Sequence, residues 1–532
     1  MRDGAGRAEA LQALLAPGGF YERRIVERLG EHVREELQRR REAIERTGES
    51  VVELEGRVRY AWIDRVIEQV VKQKGRAGAA MPVADRILTH PVLGLLIFLV
   101  LMGICFESIY GWAAPVMDGM ERGFSALGTW LGGMLPAGPL RSLVADGIVA
   151  GVGAVLVFLP QILILFLFIA ILEDCGYMAR AAFVMDRWMS RLGLSGQSFI
   201  PLLSCFACAV PGILATRTID NRRDRFVTIL VAPLMTCSAR IPVYVLMIGA
   251  LIPPVSWLGG WLNLQGLVLL GLYALGMVTA IVVALILKRT LFPGEGQAFL
   301  MELPAYRRPS LKHVVYRMYS QGKEFCVSAG TIIFAVTVII WALGYYPRPR
   351  AIADRYEARR AALRAEYAAV ADDEAGEELQ RRLAEIDREE SGAYFRQSFL
   401  ARMGRWIEPA VRPLGWDWRI GTAAIASFPA REVVVATMGT IYNLGDEADE
   451  QSQGLREKLK EATWPDGRAV FNPAVALSIM VFFALCCQCG GTLATIRRET
   501  RSWRWPVFTF TYMTVLAYIG ALVTYQVTIR LI

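Results

Sequence analysis

The sequence predicts an all-α, polytopic transmembrane protein with two inverted repeats that contain broken or re-entrant helices, plus a small N-terminal cytoplasmic helical region. At 532 residues and 54% hydrophobic content, the chain is too long and too apolar for one ordinary soluble domain. Two further apolar regions are interrupted by proline, cysteine and charged residues. At least six windows lack Asp, Glu, Lys and Arg over about the length of a bilayer span: Val92–Phe106, Gly147–Leu172, Leu264–Leu287, Phe325–Tyr346, Ala469–Ile496 and Trp505–Ile529.

Composition along the chain predicts four segments. The first 75 residues are polar, Arg-rich and helical in pattern, without the features of a cleavable signal peptide. The expected segments are a cytoplasmic helical region and linker (1–80), a first membrane half (81–346) with its broken region at about 172–242, a charged helical extramembrane insert (347–395), and a second membrane half (396–532) with its broken region at about 413–445.

Loop charges predict the orientation. Lys288–Lys323 contains seven basic residues and two acidic ones, which places this loop in the cytoplasm by the positive-inside rule. The N-terminus is then cytoplasmic as well. The first span is expected at about Val92–Tyr110, followed by an outer stretch, rich in Gly and Pro, that continues to Asp146. The net charge of +8 needs no nucleic-acid partner, because the basic residues lie mostly in short loops.

The first broken region combines a re-entrant hairpin with an interrupted span. Phe199–Thr216 is uncharged, flanked by arginines on both sides and interrupted by Pro211. A hairpin that returns to the cytoplasm is favoured, since irregular backbone is tolerated at membrane depth where protein or water lines it. The following apolar segment is broken near Cys237 and Arg240. A mid-membrane arginine is costly unless it faces protein or water, so Arg240 is a candidate functional residue.

The second broken region is Gly421–Leu444, which is split by Pro429, Arg431 and Glu432. Both regions carry a Ser-x-Phe or Ser-Phe group followed by Ala-Thr. Paired interrupted segments in two halves indicate inverted repeats with a substrate site near the midplane. A buried ion pair is the structural alternative for Arg431 and Glu432, but their burial in a membrane favours a gate or an ion site.

Three cysteines stand beside these interruptions: Cys208, Cys237 and Cys489. Cysteine in an apolar span is commonly a small packing residue. Here each one lies where backbone carbonyls are expected to be released. Thiolates combined with carbonyls suit a borderline transition ion such as Fe²⁺ better than Na⁺ or Mg²⁺. The sequence therefore favours a cation path with these cysteines as metal ligands.

Two acids follow the second apolar window directly. Glu173 and Asp174 are candidate metal-binding residues of a cytoplasmic vestibule that concentrates cations. An ordinary charged helix end explains their spacing equally well. The chain also lacks the Gly-x-x-x-x-Gly-Lys-Ser/Thr pattern of a P-loop, so we expect no GTP binding and no enzymatic activity from this chain.

Several motifs together resemble the membrane part of the bacterial ferrous-iron transporter B family (FeoB), without its N-terminal GTP-binding domain. The resemblance covers about residue 55 to the C-terminus, with the rough spacing retained. It rests on Leu172–Asp186, Cys208-Ala-Val-Pro211, Ala232–Arg240, Pro413–Trp418, Ala430–Val435 and Ile496–Thr500.

The resemblance implies Fe²⁺ transport across the bacterial inner membrane between two Gate regions. The gate cysteines of the family correspond to Cys208, Cys237 and Cys489, and its second-gate acid corresponds to Glu432. Arg431 stands where a Lys is usual, and Gln488 precedes Cys489 where a Pro is usual. The expected partners are Fe²⁺, the lipid bilayer, a separately encoded GTP-binding subunit and small cytoplasmic accessory proteins. A homo-oligomer is also compatible with the sequence.

Two alternatives stay open. A membrane thiol-disulfide oxidoreductase would use Cys205 with Cys208, and Cys486 or Cys487 with Cys489. Against it, the first pair faces the reducing cytoplasm and has no charged neighbour to tune a thiolate. A gate-type carrier for another divalent metal or for a nucleoside is the second alternative. A nucleoside carrier would need clusters of hydrogen-bonding side chains at the broken helices, and these are sparse.

Overall fold

The computed structural model describes most of the chain, in thirteen stretches. Its contacts divide the chain into two compact units, residues 1–83 and 84–532. The described residues are 7–15, 18–45, 51–70, 81–136, 138–191, 194–257, 262–293, 305–367, 373–429, 431, 433–443, 453–464 and 466–531.

The described residues up to Val70 form four helices in the N-terminal unit. Ala13, Ile25 and Leu37 form a small apolar core. Beside this core, Arg41 donates to the Glu22 carboxylate at 2.6 Å, and both residues are buried. The helices are α1 (Arg7–Leu15), α2 (Phe20–Leu29), α3 (His32–Glu45) and α4 (Val51–Val70).

The first half of the membrane unit begins with long helices and ends in short, interrupted ones. Leu143–Val149 is a π-helical turn, and 3-10 turns at Ala232–Leu234 and Ser238–Arg240 lie inside the last interrupted span. The helices are α5 (Met81–Leu88), α6 (Leu93–Met134), α7 (Pro139–Ser142), α8 (Ala150–Leu156), α9 (Leu159–Asp174), α10 (Tyr177–Arg191), α11 (Phe199–Ala207), α12 (Ala209–Ala215), α13 (Arg222–Val231) and α14 (Ile241–Leu251).

A two-stranded antiparallel ribbon connects α14 to the second part of the unit. A π-helical turn at Cys326–Gly330 joins α16 to α17. The elements are β1 (Ser256–Trp257), β2 (Leu262–Asn263), α15 (Leu264–Thr290), α16 (Leu311–Phe325), α17 (Thr331–Tyr345), α18 (Arg350–Tyr367), α19 (Asp373–Gln397), α20 (Phe399–Val411), α21 (Trp418–Ala426), α22 (Val433–Ile441), α23 (Gln453–Glu461), α24 (Pro473–Leu485), α25 (Gly490–Thr500) and α26 (Arg504–Leu531).

The prediction of an all-α polytopic membrane protein is confirmed. Within the described residues, six helical segments are long and apolar enough to cross a membrane. The interrupted segments 222–251 and 473–500 are the most enclosed, with 67% and 78% of their apolar window buried, against 22% or less for the other four. The broken helices therefore form the centre of the unit, and the continuous helices surround them. The inverted relation of the two halves stays a prediction.

The first expected span and most of the stretch that follows it form one continuous helix. Helix α6 continues for 42 residues, with Pro115 inside it. At 1.5 Å per residue it is about 63 Å long, roughly twice the hydrocarbon thickness of a bilayer. Isolated Gly and Pro residues are tolerated in membrane helices where neighbouring groups satisfy the freed backbone. The Gly and Pro residues of this stretch therefore do not end the helix.

The charged insert forms a helical hairpin. Helices α18 and α19 pack against each other around Ile352, Tyr356, Ile386 and Tyr394. Arg360 of α18 donates to Asp387 of α19 at 2.6 Å and also contacts Glu390. The alternating charges of this segment therefore pair across the hairpin.

Candidate functional site

Each of the three predicted cysteines is the residue immediately before the second half of an interrupted helix. Cys208 separates α11 from α12 with an extended backbone (φ −154°, ψ 134°). Cys489 has a similar conformation before α25 (φ −157°, ψ 108°). Cys237 precedes the 3-10 turn that leads into α14 (φ −86°, ψ 163°). The backbone is extended at all three positions, so none of these cysteines lies within a helical turn.

Local sequence explains the interruptions. A proline ring clashes with the carbonyl four residues before it in a continuous helix. Pro211 therefore prevents α11 from continuing past Ala207, and the Ala207 carbonyl instead accepts a hydrogen bond from Ser238 Oγ at 3.0 Å. Pro429 has the same relation to Ile425 near the end of α21. The two consecutive glycines that follow Cys489 lower the helix propensity of the chain at this interruption.

The three cysteines line a single cavity of about 120 Å³, together with Arg431. Gln161 of α9 and Thr492 of α25 add polar groups to its walls. The structure thus brings Cys208 and Cys237 of the first predicted broken region together with Arg431 of the second. Cys489, which joins them, lies 281 positions after Cys208 in the chain. No group of three or more His, Cys, Asp or Glu side chains in the part of the chain that the structure describes is arranged to hold a metal ion. The cysteines are distributed around the wall.

Two more sulfur-bearing residues line this cysteine cavity, Met235 and Cys487. Cys487 is completely buried. The sequence indicated an interruption near it but did not distinguish a packing role from a lining role. None of the described cysteines forms a disulfide bond.

Neutral polar side chains bridge the interrupted helices around the cavity. Gln161 donates to Ser238 Oγ at 3.0 Å, which connects α9 to the interruption at Cys237. Gln488 accepts from Ser427 Oγ at 3.0 Å and donates to the Ala424 carbonyl at 3.1 Å. These contacts hold the walls of the cavity in place.

Arg240 and Arg431 are almost completely buried, with exposed fractions of 0% and 5%. Each guanidinium donates to three backbone carbonyls near a helix interruption. Arg240 donates to Pro233 at 2.8 Å, Leu234 at 3.3 Å and Met235 at 3.0 Å. Arg431 donates to Phe483 at 2.9 Å, Cys486 at 2.9 Å and Gln488 at 3.3 Å. Six of the carbonyls near the interruptions at Cys237 and Cys489 therefore already accept a hydrogen bond from arginine.

Glu173 and Asp174 do not reach the cysteine cavity. Glu173 lines a second cavity of about 410 Å³ with Pro211 and Arg317, and it forms an ion pair with Arg317. Asp174 Oδ1 lies 2.7 Å from Nδ1 of His313. Both acids thus have partners on α16, the arrangement expected of a charged helix end.

Helix α9 contributes to both cavities. Gln161 lines the first and Glu173 the second, about 18 Å apart along the helix at 1.5 Å per residue. Between them lies an apolar cluster in which Ile162, Val210 and Leu214 are buried. Val210 faces the first cavity and Leu214 the second. The short helix α12, which Cys208 precedes, therefore forms part of the partition between the two cavities.

Glu432, the predicted second-gate acid, lies outside the described residues. Its neighbour Arg431 is described and reaches the cavity wall.

An ion-pair network joins the re-entrant hairpin to α25 and α16. Glu499 accepts from Arg217 at 2.6 Å and from Arg225 at 2.7 Å. Glu324 accepts from Arg217 at 3.0 Å and pairs with Arg498 at 2.9 Å. Only 4% of the Glu499 side chain is exposed. Sequence reasoning missed this network, because its members lie in three separate loops or helix ends.

A second polar cluster anchors α5. Arg180 donates to Asp85 at 2.6 Å, and Tyr306 donates to the same oxygen at 2.7 Å. The Arg180 guanidinium also lies 3.7 Å from the centroid of the Tyr306 ring. The hydrogen bonds from Arg180 and Tyr306 lower the pKa of Asp85. Burial and the bond to Asp85 raise the pKa of Tyr306 to about 12.

Two protein-family models match parts of this chain. The Gate family model, described as "Nucleoside recognition", matches residues 155–251 and 326–503. The model "Ferrous iron transport protein B C terminus" matches residues 269–321. The two matches include the three predicted cysteines, Cys208, Cys237 and Cys489, and most of the helices around them. No solved structure matches the chain significantly.

Curated relatives carry consistent names. A protein of Leptospira interrogans named "Fe(2+) transporter FeoB" is 45% identical over 84% of this chain and 59% of the relative. A Porphyromonas gingivalis "Fe(2+) transport protein A/Fe(2+) transporter FeoB fusion protein" is 39% identical over 83% of this chain and 51% of the relative. A Staphylococcus aureus "Fe(2+) transporter FeoB" is 34% identical over 94% of this chain and 68% of the relative. The chain thus spans 59% of the first relative, and it belongs to the Fe(2+) transporter FeoB family.

Proposed function

We propose that this chain carries Fe²⁺ across the bacterial inner membrane through the cysteine cavity. The observation that supports this most strongly is the convergence of Cys208, Cys237 and Cys489 on one cavity between the broken helices. Thiolate sulfur suits Fe²⁺ and other borderline or soft transition ions. The names of the relatives favour Fe²⁺ among these ions.

The ion would enter and leave the cysteine cavity by movement of the short half-helices. In the structure, the apolar cluster around Val210 and Leu214 separates this cavity from the second one. A charged ion crosses such a partition only when the apolar side chains separate and water or ligands replace them. Displacement of α12 relative to α9 would open this connection. We place the second cavity on the cytoplasmic side, since the charge of the loops puts the Lys288–Lys323 segment there.

Glu173 and Asp174 then act as a vestibule at the cytoplasmic end of the path. Their ion pairs with Arg317 and His313 would have to rearrange when a cation passes. Glu173 is the better placed of the two because it lies on the cavity wall. Glu432 belongs to the opposite gate beside Arg431.

We further propose that a separately encoded GTP-binding subunit energises or regulates transport. No P-loop pattern occurs in the given sequence. Small cytoplasmic accessory proteins are expected as well, and one relative is named as a fusion with "Fe(2+) transport protein A".

Anaerobic uptake of radiolabelled Fe²⁺ into proteoliposomes tests the proposal. Wild-type chain should accumulate Fe²⁺ either alone or after addition of GTP and cytosolic extract. Uptake by the chain alone would restrict a GTPase to regulation, whereas uptake that requires GTP and extract would establish a split transporter. Absence of uptake of Fe²⁺, Zn²⁺ and Mn²⁺ under every condition would contradict the proposed function.

A substitution pair tests the second gate. Glu432→Gln removes a negative charge beside Arg431, and Glu107→Gln removes one from α6, away from the cysteine cavity. We expect Glu432→Gln to impair Fe²⁺ uptake more strongly than Glu107→Gln. The reverse order would remove Glu432 from the path.

A further inference from the structure

The two buried arginines change what the cysteine cavity can offer to a cation. A helix interruption normally releases carbonyl oxygens, and such oxygens coordinate Na⁺ in other transporters with broken helices. Oxygen ligands are also what Mg²⁺ and Ca²⁺ require. Here six of the carbonyls near two interruptions already accept hydrogen bonds from Arg240 and Arg431.

The remaining interruptions are satisfied in a similar way by neutral groups. The Ala207 carbonyl accepts from Ser238 Oγ at 3.0 Å. The Ala424 carbonyl accepts from Ser427 Oγ and from Gln488, and the Phe428 carbonyl accepts from the Gly490 amide at 3.3 Å. The protein thus uses these oxygens internally, while the sulfur atoms of Cys208, Cys237 and Cys489 line the cavity.

The guanidinium groups also contribute fixed positive charge. Arginine stays protonated in proteins, so these charges persist when no ion is bound. The two arginines therefore repel any cation in the cavity, and a cation that binds sulfur weakly gains no strong ligand to offset this repulsion.

We infer that Arg240 and Arg431 are specificity-determining residues, which exclude hard cations such as Na⁺, Mg²⁺ and Ca²⁺ by occupying the backbone carbonyls that would coordinate them. Thiophilic ions pass because their ligands are the cysteine sulfurs. This inference rests on the proposed function as a cation path. A purely structural role, in which each arginine caps a helix end, predicts a loss of stability without a change in ion selectivity.

Wild-type protein provides a first test that does not depend on any variant. In proteoliposomes, Fe²⁺ uptake should be independent of a Na⁺ gradient and should change less than about twofold in a roughly hundredfold excess of Mg²⁺ or Ca²⁺, since these ions require several oxygen ligands and the arginines engage the nearby carbonyls. Cd²⁺, a thiophilic ion, should compete strongly. Inhibition by excess Mg²⁺ comparable to that by Cd²⁺, or dependence on Na⁺, would overturn the inference.

Variants test the two residues directly. Arg240→Met and Arg431→Met keep the apolar bulk and release three carbonyls each. In the folded, membrane-inserted variants, we expect the ratio of Fe²⁺ to Mg²⁺ uptake to fall roughly tenfold or more, through increased Mg²⁺ entry. Arg431→Lys keeps a donor and the charge, so it should retain more of the selectivity. Arg382→Met, which removes an exposed arginine from α19, is the matched control and should behave as wild type.

An unchanged uptake ratio in inserted Arg431→Met protein would overturn the inference, as would an equal fall in Arg382→Met. The result remains separable from the proposed function. If wild-type chain carries no Fe²⁺ under any condition, titration of detergent-solubilised protein with Cd²⁺ and with Mg²⁺ still tests the arginines. Wild type should then bind Cd²⁺ only, and Arg431→Met should gain Mg²⁺ binding. Failure of Arg431→Met to gain Mg²⁺ binding would overturn the inference on its own.

Discussion

Gly212 offers a sharp test of the packing that positions Cys208. This glycine lies in α12 and packs against α11, and a Cβ added there would lie 2.7 Å from the Pro201 carbonyl oxygen and still closer to Cys205 Sγ. A carbonyl within a helix cannot rotate away, so Gly212→Ala must displace one half of the hairpin. Overpacking of this kind costs about 1–3 kcal/mol.

The expected result has two parts. The thermal midpoint of the detergent-solubilised protein should fall, and Fe²⁺ uptake should decrease because Cys208 moves with the hairpin. Gly271→Ala on α15 is the control, since an added Cβ there meets no atom within 4 Å. Removal of a helix-interior glycine at an open position is neutral or stabilising by about 0.5–1 kcal/mol.

A double substitution separates the two clashes. Cys205→Ala in the Gly212→Ala background removes the sulfur but leaves the Pro201 carbonyl in place, so stability should recover only in part. A Gly212→Ala protein that melts and transports like wild type would refute the close packing of α11 against α12. Full recovery in the double variant would show that the carbonyl contact is unimportant.

Three further predictions follow from the described contacts. Cys237→Ser should abolish Fe²⁺ uptake in an inserted protein, whereas Cys105→Ser in α6 should retain it; wild-type uptake by Cys237→Ser would exclude Cys237 from the path. The lowered pKa of Asp85 stabilises the fold above the unfolded value of about 3.9 and ceases to do so as the pH falls through the folded value. The difference in thermal midpoint between wild type and Asp85→Asn should therefore shrink from pH 7 toward about pH 3, and a difference that grows in acid would contradict this cause. Glu499→Gln should destabilise the protein by about 1–2 kcal/mol, because Arg217 and Arg225 lose a shared carboxylate while remaining partly solvated; an unchanged midpoint would show that the network contributes nothing to stability.

The positions of the interruptions could be predicted from the sequence because their causes are local. Pro211 and Pro429 disrupt helices through a clash four residues away, and this spacing is visible in any sequence. The convergence of Cys208, Cys237 and Cys489 was a weaker expectation, since it depended on the family resemblance and on a faint internal repeat. The structure brings them to one cavity, and their role as gate cysteines stays a prediction.

Partners that depend on tertiary contacts could not be predicted. Arg431 donates to carbonyls more than fifty residues away, and no spacing rule indicates such a contact. The same limit applies to Glu173 and Asp174, whose partners lie on α16. Sequence reasoning singled out the charged residues in the membrane unit as candidate functional residues. It treated the released backbone carbonyls as ligands of the ion, whereas in the structure several of them accept hydrogen bonds from arginine.

The full length of helix α6 also could not be predicted from the sequence, for a different reason. The sequence between Tyr110 and Met134 contains Gly, Pro and few strongly apolar runs, which are weak loop signals. In the structure, Gly128 and Gly132 face the π-helical turn at Leu143–Val149 and the preceding α7. Small residues allow two helices to approach closely. These glycines therefore serve helix packing.

The central claim is that Fe²⁺ is held by cysteine sulfur inside the membrane unit. X-ray absorption spectroscopy at the iron edge, on protein loaded anaerobically with Fe²⁺, measures this directly. We predict sulfur in the first coordination shell of the iron in wild-type protein. In a variant with serine at Cys208, Cys237 and Cys489, this sulfur should be absent. A first shell of oxygen and nitrogen alone in the wild type would contradict it.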